Sequence, residues 1–251
     1  MIKAMYSEWL KYKRTSIPWL LTIPPFVVVF ISTYYVSLNN IDSDTWIQLL
    51  DFTNQIWSGV WLPLGWGLIA GLAANIETTS GNWRSLRVRS QSPYKLYGAK
   101  ILVLAVQTFL STLLLFILLF IAGGILEIPL DYPWREFSVV MIVNWISGMP
   151  LFLFSLWIGE MFGWAISVGF GVFGILAASI IGATNVGNDI WVFIPWAWPV
   201  RLVYMGYALV NNNSHLLVPS NIFWSVLIAV ICLSILITIS SIKWFHRKEI
   251  N

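Results

Sequence analysis

The sequence predicts an all-α membrane protein with six transmembrane helices and both termini cytoplasmic. Three observations carry this. Of the 251 residues, 58% are apolar and 10% are charged, against roughly 25% charged in an ordinary soluble domain. The mean hydropathy is +0.78, and the apolar residues gather into runs close to the length that crosses a bilayer. The charges are one-sided. With six spans and both ends inside, 12 of the 14 lysines and arginines are cytoplasmic, and only Arg135 and Arg201 lie outside. Seven of the 11 acids (Asp42, Asp44, Asp51, Glu127, Asp131, Glu136 and Asp189) fall outside. That is the positive-inside pattern. Residues 1–251 are read as a single transmembrane domain.

Residues 1–14 read MIKAMYSEWLKYKR. Ile2, Met5, Tyr6, Trp9 and Leu10 recur at helical spacing, with Lys3, Ser7, Lys11 and Arg14 on the other face. An apolar face with Trp opposite a basic one suits a helix lying in the membrane interface. Its candidate contact residues are Met5, Trp9, Lys11, Lys13 and Arg14. Two readings stand together, a lipid anchor and a connecting helix that touches a cytoplasmic partner.

Span 1 covers about 17–36. It is long for a signal-peptide core, and no A-x-A-like cleavage site follows, so it reads as uncleaved. Pro18, Pro24 and Pro25 should kink it or delay its start. A loop from Ser37 to Asn54 holds Asp42, Asp44 and Asp51 and no cation. Span 2, about 55–75, carries Gly67 and Gly71 at GxxxG spacing, which admits a close neighbour. Spans 3, 4 and 5 cover about 99–124, 137–158 and 164–184. Spans 4 and 5 are joined by the short turn Gly159-Glu160-Met161-Phe162-Gly163. Span 6 covers about 221–244.

The stretch from Ile190 to Val210 is apolar but holds Pro195, Pro199 and Arg201. Letting it cross would move the C-terminal cations outside, against the positive-inside bias. It is therefore read as a pair of short helices or a re-entrant hairpin, broken near Pro195 to Pro199. Arg201 has three open outcomes: snorkelling outward, pairing with Asp189, or touching a substrate.

The main polar interruption runs from Asn75 to Lys100. It carries Arg84, Arg87, Arg89, Lys95 and Lys100 against one acid, Glu77. Thr78, Thr79 or Ser80 can N-cap a short helix. That helix sets Trp83 and Leu86 on one face beside Arg84 and Arg87, and must end before Pro93. Ser92 then caps span 3, with Pro93 at its first position. Trp and Arg are frequent interface anchors. Docking of a cytoplasmic partner is preferred over a plain basic loop whose Trp83 dips into lipid.

Other motifs argue against chemistry in this chain. There is no GxxxxGK[ST] phosphate loop. Gly169 to Gly174 match GxGxxG literally, but without the strand that a nucleotide site requires. Ser167 and Gly171, and then Gly174, Ala178 and Gly182, have the four-residue spacing of a close helix-packing face. The two histidines, His215 and His246, are assigned to opposite sides of the membrane. The span cores contain essentially no ionisable residue, and Arg201 comes nearest. The single cysteine, Cys232, forms no internal disulfide. Asn212-Asn213-Ser214 reads as a sequon or a polar turn. No catalytic site, metal site or nucleic-acid surface is expected.

Six spans, an interfacial helix, an insert between spans 2 and 3 and a broken hairpin before span 6 resemble an ABC-2 type transporter permease. The pattern Glu77…Gly81…Leu86…Ser92-Pro93…Lys100 is similar to that family's signature between spans 2 and 3. The start, Ser7-Glu8-Trp9-Leu10-Lys11-Tyr12-Lys13-Arg14-Thr15, resembles the E-type lantibiotic immunity permeases. The resemblance implies a multi-pass protein of the bacterial plasma membrane, working with a second, different permease subunit and two copies of a cytoplasmic ATPase. ATP and Mg would then bind the ATPase, with no cofactor on this chain. It implies a coupling helix from Thr78 to Ser90, with Glu77, Ser80, Gly81, Trp83, Arg84, Leu86 and Arg87 as coupling residues. Any second cytoplasmic contact would rest on Glu160 and its neighbours. The implied substrate is a lantibiotic-type peptide in membrane lipid, with another amphipathic drug or lipid, or a non-transporting peptide-binding role, as the alternative.

Overall fold

The computed structural model describes residues 2–39, 41–42, 44–79, 92–128, 133–210 and 220–247. Among these there is no strand. The chain opens with α1 (Ile2–Lys13) and α2 (Ile17–Ser37). Then α3 (Thr45–Ile56) runs through a π turn (Trp57–Trp61) into α4 (Leu62–Thr79). After the insert come α5 (Pro93–Ile125), α6 (Trp134–Phe162) and α7 (Trp164–Ala177), the last extended by a π turn (Ala178–Gly182). Three 3-10 turns precede α8 (Trp198–Val210), and α9 (Ser220–Arg247) follows. Six segments are long and apolar enough to cross a membrane: α2, α3–α4, α5, α6, α7 with its π turn, and α9.

Two of the six form the centre. In α3–α4 and in α6, 67% of the most apolar window is buried, against 33% in α7 and 22% in α9. Helices α4, α6 and α7 pack on one another, α2 packs on α5, and α8 lies against α6.

The α4–α7 seam joins two patterns that the sequence displayed separately. A Cβ on Gly67 would sit 2.9 Å from the Ser167 carbonyl oxygen, and one on Gly71 would sit 2.9 Å from that of Trp164. From the other side, a Cβ on Gly171 would meet the Pro63 carbonyl oxygen at 2.7 Å. The seam is closed by a hydrogen bond of 2.9 Å from Ser167 Oγ to the Gly67 carbonyl. Small residues on both helices thus let backbone meet backbone.

Several boundaries differ from expectation. Span 2 is helical from Thr45 rather than Gln55. Its added turns bury Trp46, Leu49, Leu50 and Thr53, and Trp46 meets Phe137 edge-on with centroids 5.7 Å apart. The acids of this stretch had suggested a loop, while its apolar side follows a helical period. Span 4 runs on through Glu160 to Phe162, and the turn reduces to Gly163. Gly163 has φ +97°, a conformation that glycine takes without a Cβ clash. In α2 the helix starts at Ile17 with Pro18 in its first turn and continues through Pro24 and Pro25. Helix α5 begins at Pro93 after Ser92, although Ser92 makes no side-chain cap bond.

The stretch before span 6 breaks where the prolines stand. Pro195 opens a 3-10 turn, and α8 begins at Trp198 with Pro199 in its first turn. Its 13 residues extend about 20 Å, short of the roughly 30 Å hydrocarbon core. Arg201 settles on backbone rather than on Asp189. It donates to the carbonyl oxygens of Ile181 (3.2 Å) and Thr184 (2.5 Å) and to Asn188 Oδ1 (2.9 Å). A cation over the last carbonyls of a helix complements its dipole. A buried polar chain holds α8 to α3 and α6. Asn144 Nδ2 donates to Ser58 Oγ (2.6 Å), Ser58 Oγ to Asn54 Oδ1 (2.5 Å), and Asn54 Nδ2 to the Val200 carbonyl (3.2 Å).

Candidate coupling site

Both described chain ends lie at one end of the bundle. Tyr97 stacks on Phe245 with centroids 4.8 Å apart, and Tyr94 stacks on His246 at 4.4 Å. The start of α5 therefore meets the end of α9, and α1 packs across α5. Helix α4 ends and α5 begins at this same end, before and after the insert.

Charged side chains converge here from four helices. From α1, Lys11 Nζ contacts Glu8 Oε1 at 2.6 Å and Glu77 Oε1 of α4 at 2.5 Å. Tyr12 Oη donates to Glu8 Oε2 at 3.0 Å. From α5, Lys100 ion-pairs with Glu160 of α6 and donates to the Ala73 carbonyl of α4 at 2.9 Å. Glu8, Glu77, Lys100 and Glu160 are all buried. Charges out of water need partners, and here each partner stands on another helix or another turn.

Electrostatics make these contacts one neighbourhood. Burial pushes the Tyr12 phenol well above its ordinary value, and the carboxylates of Glu8, Glu77 and Glu160 push it the same way. Tyr12 thus stays a hydrogen-bond donor. For Lys11, burial alone would lower the pKa. The adjacent Glu8 and Glu77 outweigh that and hold it above the usual lysine value.

The expected contact residues divide. Lys11, Glu77 and Glu160 come together in this cluster. Met5 is half-buried against the main core. Trp9 and Lys13 are exposed on α1, and Arg14 is exposed just after it. Ser80, Gly81, Trp83, Arg84, Leu86 and Arg87 lie outside the described residues. Glu160 is 3% exposed, so a surface contact at this turn falls to its exposed neighbours Met161, Phe162 and Trp164.

Three participants were not foreseen: Glu8, Tyr12 and Lys100. The reading of α1 had two faces, whereas it has three. Ala4, Glu8 and Tyr12 form the buried stripe, and the apolar residues Ile2, Tyr6, Trp9 and Leu10 stay exposed. The four-residue spacing of Ala4, Glu8 and Tyr12 was the available signal. Lys100 had been counted as an insert cation, but it is fully buried inside α5. Its apolar neighbours Ala99 and Ile101 were the clue. Lys100 stands near the start of α5 and Glu160 near the end of α6, at the ends of their helices rather than in the span cores.

A family model described as "ABC-2 family transporter protein" matches residues 4–177. That match spans α1 through α7 and takes in every member of the charged cluster. No curated protein and no solved structure matches.

Proposed function

Because the chain belongs to the ABC-2 family of transporter proteins, it is a membrane permease subunit of an ABC transporter, and we propose that it expels a lantibiotic-type antimicrobial peptide from the membrane. On this reading ATP is hydrolysed on a separate cytoplasmic ATPase, present in two copies. A second, different permease subunit completes the pathway. The termini face the cytoplasm of a bacterial cell, and the peptide leaves on the opposite side.

The observation that supports this reading is the charged cluster around the roots of the insert. Glu77 lies two residues before the end of α4 and is tied to α1 through Lys11. Lys100 lies in α5 beyond the insert and is tied to α4 and α6. A push on the segment 80–91 therefore reaches α1, α4, α5 and α6 through packed ion pairs rather than through loops. Two rigid roots joined by such pairs suit a coupling element, with Trp83, Arg84, Leu86 and Arg87 as its contact with the ATPase. The family match supports the permease. The peptide class rests on the resemblance of the N-terminal segment.

The reading is tested in proteoliposomes holding the permease subunits and the ATPase. Trp83→Ala and Arg84→Glu should each lower peptide-stimulated ATP hydrolysis at unchanged expression. Unchanged hydrolysis together with unchanged peptide resistance in cells would refute it.

A further inference from the structure

The end of the bundle away from the chain termini holds a small cavity between α3 and α8. Its volume is about 290 Å³, and it is lined by Ile47, Gln48, Leu50, Asp51, Tyr204 and Tyr207. Among the described residues, Asp51 is its one carboxylate. Oδ1 accepts from the Tyr204 hydroxyl, and Oδ2 accepts from Gln55 Nε2 at 3.3 Å. Asp51 makes no ion pair among the described residues. It therefore differs from Glu8, Glu77 and Glu160, each of which has a lysine. The one lysine or arginine on α8, Arg201, donates instead to the carbonyls of Ile181 and Thr184.

We propose that this cavity is a cation site, in which Asp51, flanked by Tyr204 and Tyr207, receives the alkylammonium group of a lysine side chain on an amphipathic peptide. The site rests on the transport reading for its peptide, and on its own geometry for the chemistry.

Three physical points support it. A half-buried carboxylate held by two neutral donors keeps acceptor capacity, since an ionised carboxyl has about four lone-pair sites. A half-buried carboxylate without a counter-ion can still gain from an ammonium, which offers both the opposite charge and three N–H donors. Tyrosine rings beside the carboxylate add attraction for a cation. The volume lies at the small end of ligand pockets, roughly 300 to 1,000 Å³, and so suits one side chain rather than a whole ligand.

Charge at the start of α3 favours a peptide over a phospholipid headgroup. Asp42 and Asp44 are exposed just before α3. A zwitterionic headgroup would bring its phosphate toward them, whereas a polycationic peptide brings more positive charge.

The test uses the full chain in phosphatidylcholine nanodiscs, without the ATPase, and a fluorescent amphipathic peptide with lysines along its polar face. Asp51→Asn should weaken binding about tenfold, the equivalent of 1.4 kcal/mol. A peptide with norleucine for lysine should bind both chains alike. Propylammonium chloride should displace the lysine peptide from the wild-type chain better than equal sodium chloride, a readout that needs no variant. Equal binding to wild type and Asp51→Asn, or displacement by propylammonium no better than by sodium, overturns the site. Phosphatidylethanolamine that displaces the peptide from wild type but not from Asp51→Asn would assign the cavity to a lipid headgroup instead. If the site fails while Trp83→Ala still lowers ATP hydrolysis, the transport reading survives. If the hydrolysis test fails while Asp51-dependent binding holds, only the transport reading falls.

Discussion

Lys100 and Glu160 form an ion pair sealed from solvent on both sides, with side-chain exposures of 0% and 1%. The pair joins α5 to α6, and the same ammonium reaches the Ala73 carbonyl of α4. Removing one partner strands a buried charge, which costs about 3 to 5 kcal/mol. Lys100→Met should therefore strongly destabilise the purified protein. The double variant Lys100→Met, Glu160→Leu should recover most of the loss, because apolar replacement of a whole buried pair is close to neutral. Thermal unfolding in detergent, run on both variants, measures this. A double variant no more stable than the single one would show that the pair does not act as a unit.

The glycine seam makes a steric prediction. A methyl on Gly171 would press on the Pro63 carbonyl at 2.7 Å, a contact with backbone that cannot rotate away. Gly171→Ala should cost about 1 to 3 kcal/mol, the usual range for overpacking. Gly98, where a Cβ meets nothing within 4 Å, serves as the control, and Gly98→Ala should be neutral or slightly stabilising. Melting temperatures of the two variants decide the matter.

Arg201 anchors the end of α7. Arg201→Gln removes charge-assisted bonds to two carbonyls and to Asn188, which at this partly exposed site are worth about 0.5 to 1.5 kcal/mol each. Hydrogen exchange should quicken in residues 181–188 and stay slow in α4. Uniform acceleration across the chain would mean that Arg201 supports the whole fold rather than this helix end.

The docking of α1 carries a pH signature. The folded-state pKa of Lys11 is raised above 10.5. A group so shifted stabilises fully below its unfolded value and loses that contribution as pH rises through the folded one. The stability difference between wild type and Lys11→Met should stay flat across neutral pH and shrink only above about 10.5. A difference that fades between pH 7 and 9 contradicts the Lys11–Glu77 contact.

How far the sequence could be read depended on which physical signal each part left. The spans were legible because length and hydropathy act over about 20 residues. The α7 seam was half visible: Gly67, Gly71, Ser167 and Gly171 each showed the right spacing, but spacing within a helix does not name its partner. Pro195 and Pro199 marked the break before α8. The start of α3 was hidden because Asp42, Asp44 and Asp51 made its composition look like a loop, although Trp46, Leu49, Leu50 and Thr53 bury one side of it. The ion pairs were the least legible. Lys11 and Glu77 are 66 residues apart and Lys100 and Glu160 are 60 apart, and no local pattern records such a contact. Lys100 looked like its basic neighbours, and only tertiary packing separates it from them.

The segment between Glu77 and Lys100 is proposed as the place where an ATPase grips this permease. The most direct measurement is site-specific cross-linking in the assembled transporter. Trp83→Cys would be placed in a chain carrying Cys232→Ser and reacted with a short bifunctional reagent. A cross-link to the ATPase subunit should form, with a yield that changes between the nucleotide-free and ATP-bound states. A complex that stays assembled, yet yields no such cross-link in either state, would contradict it.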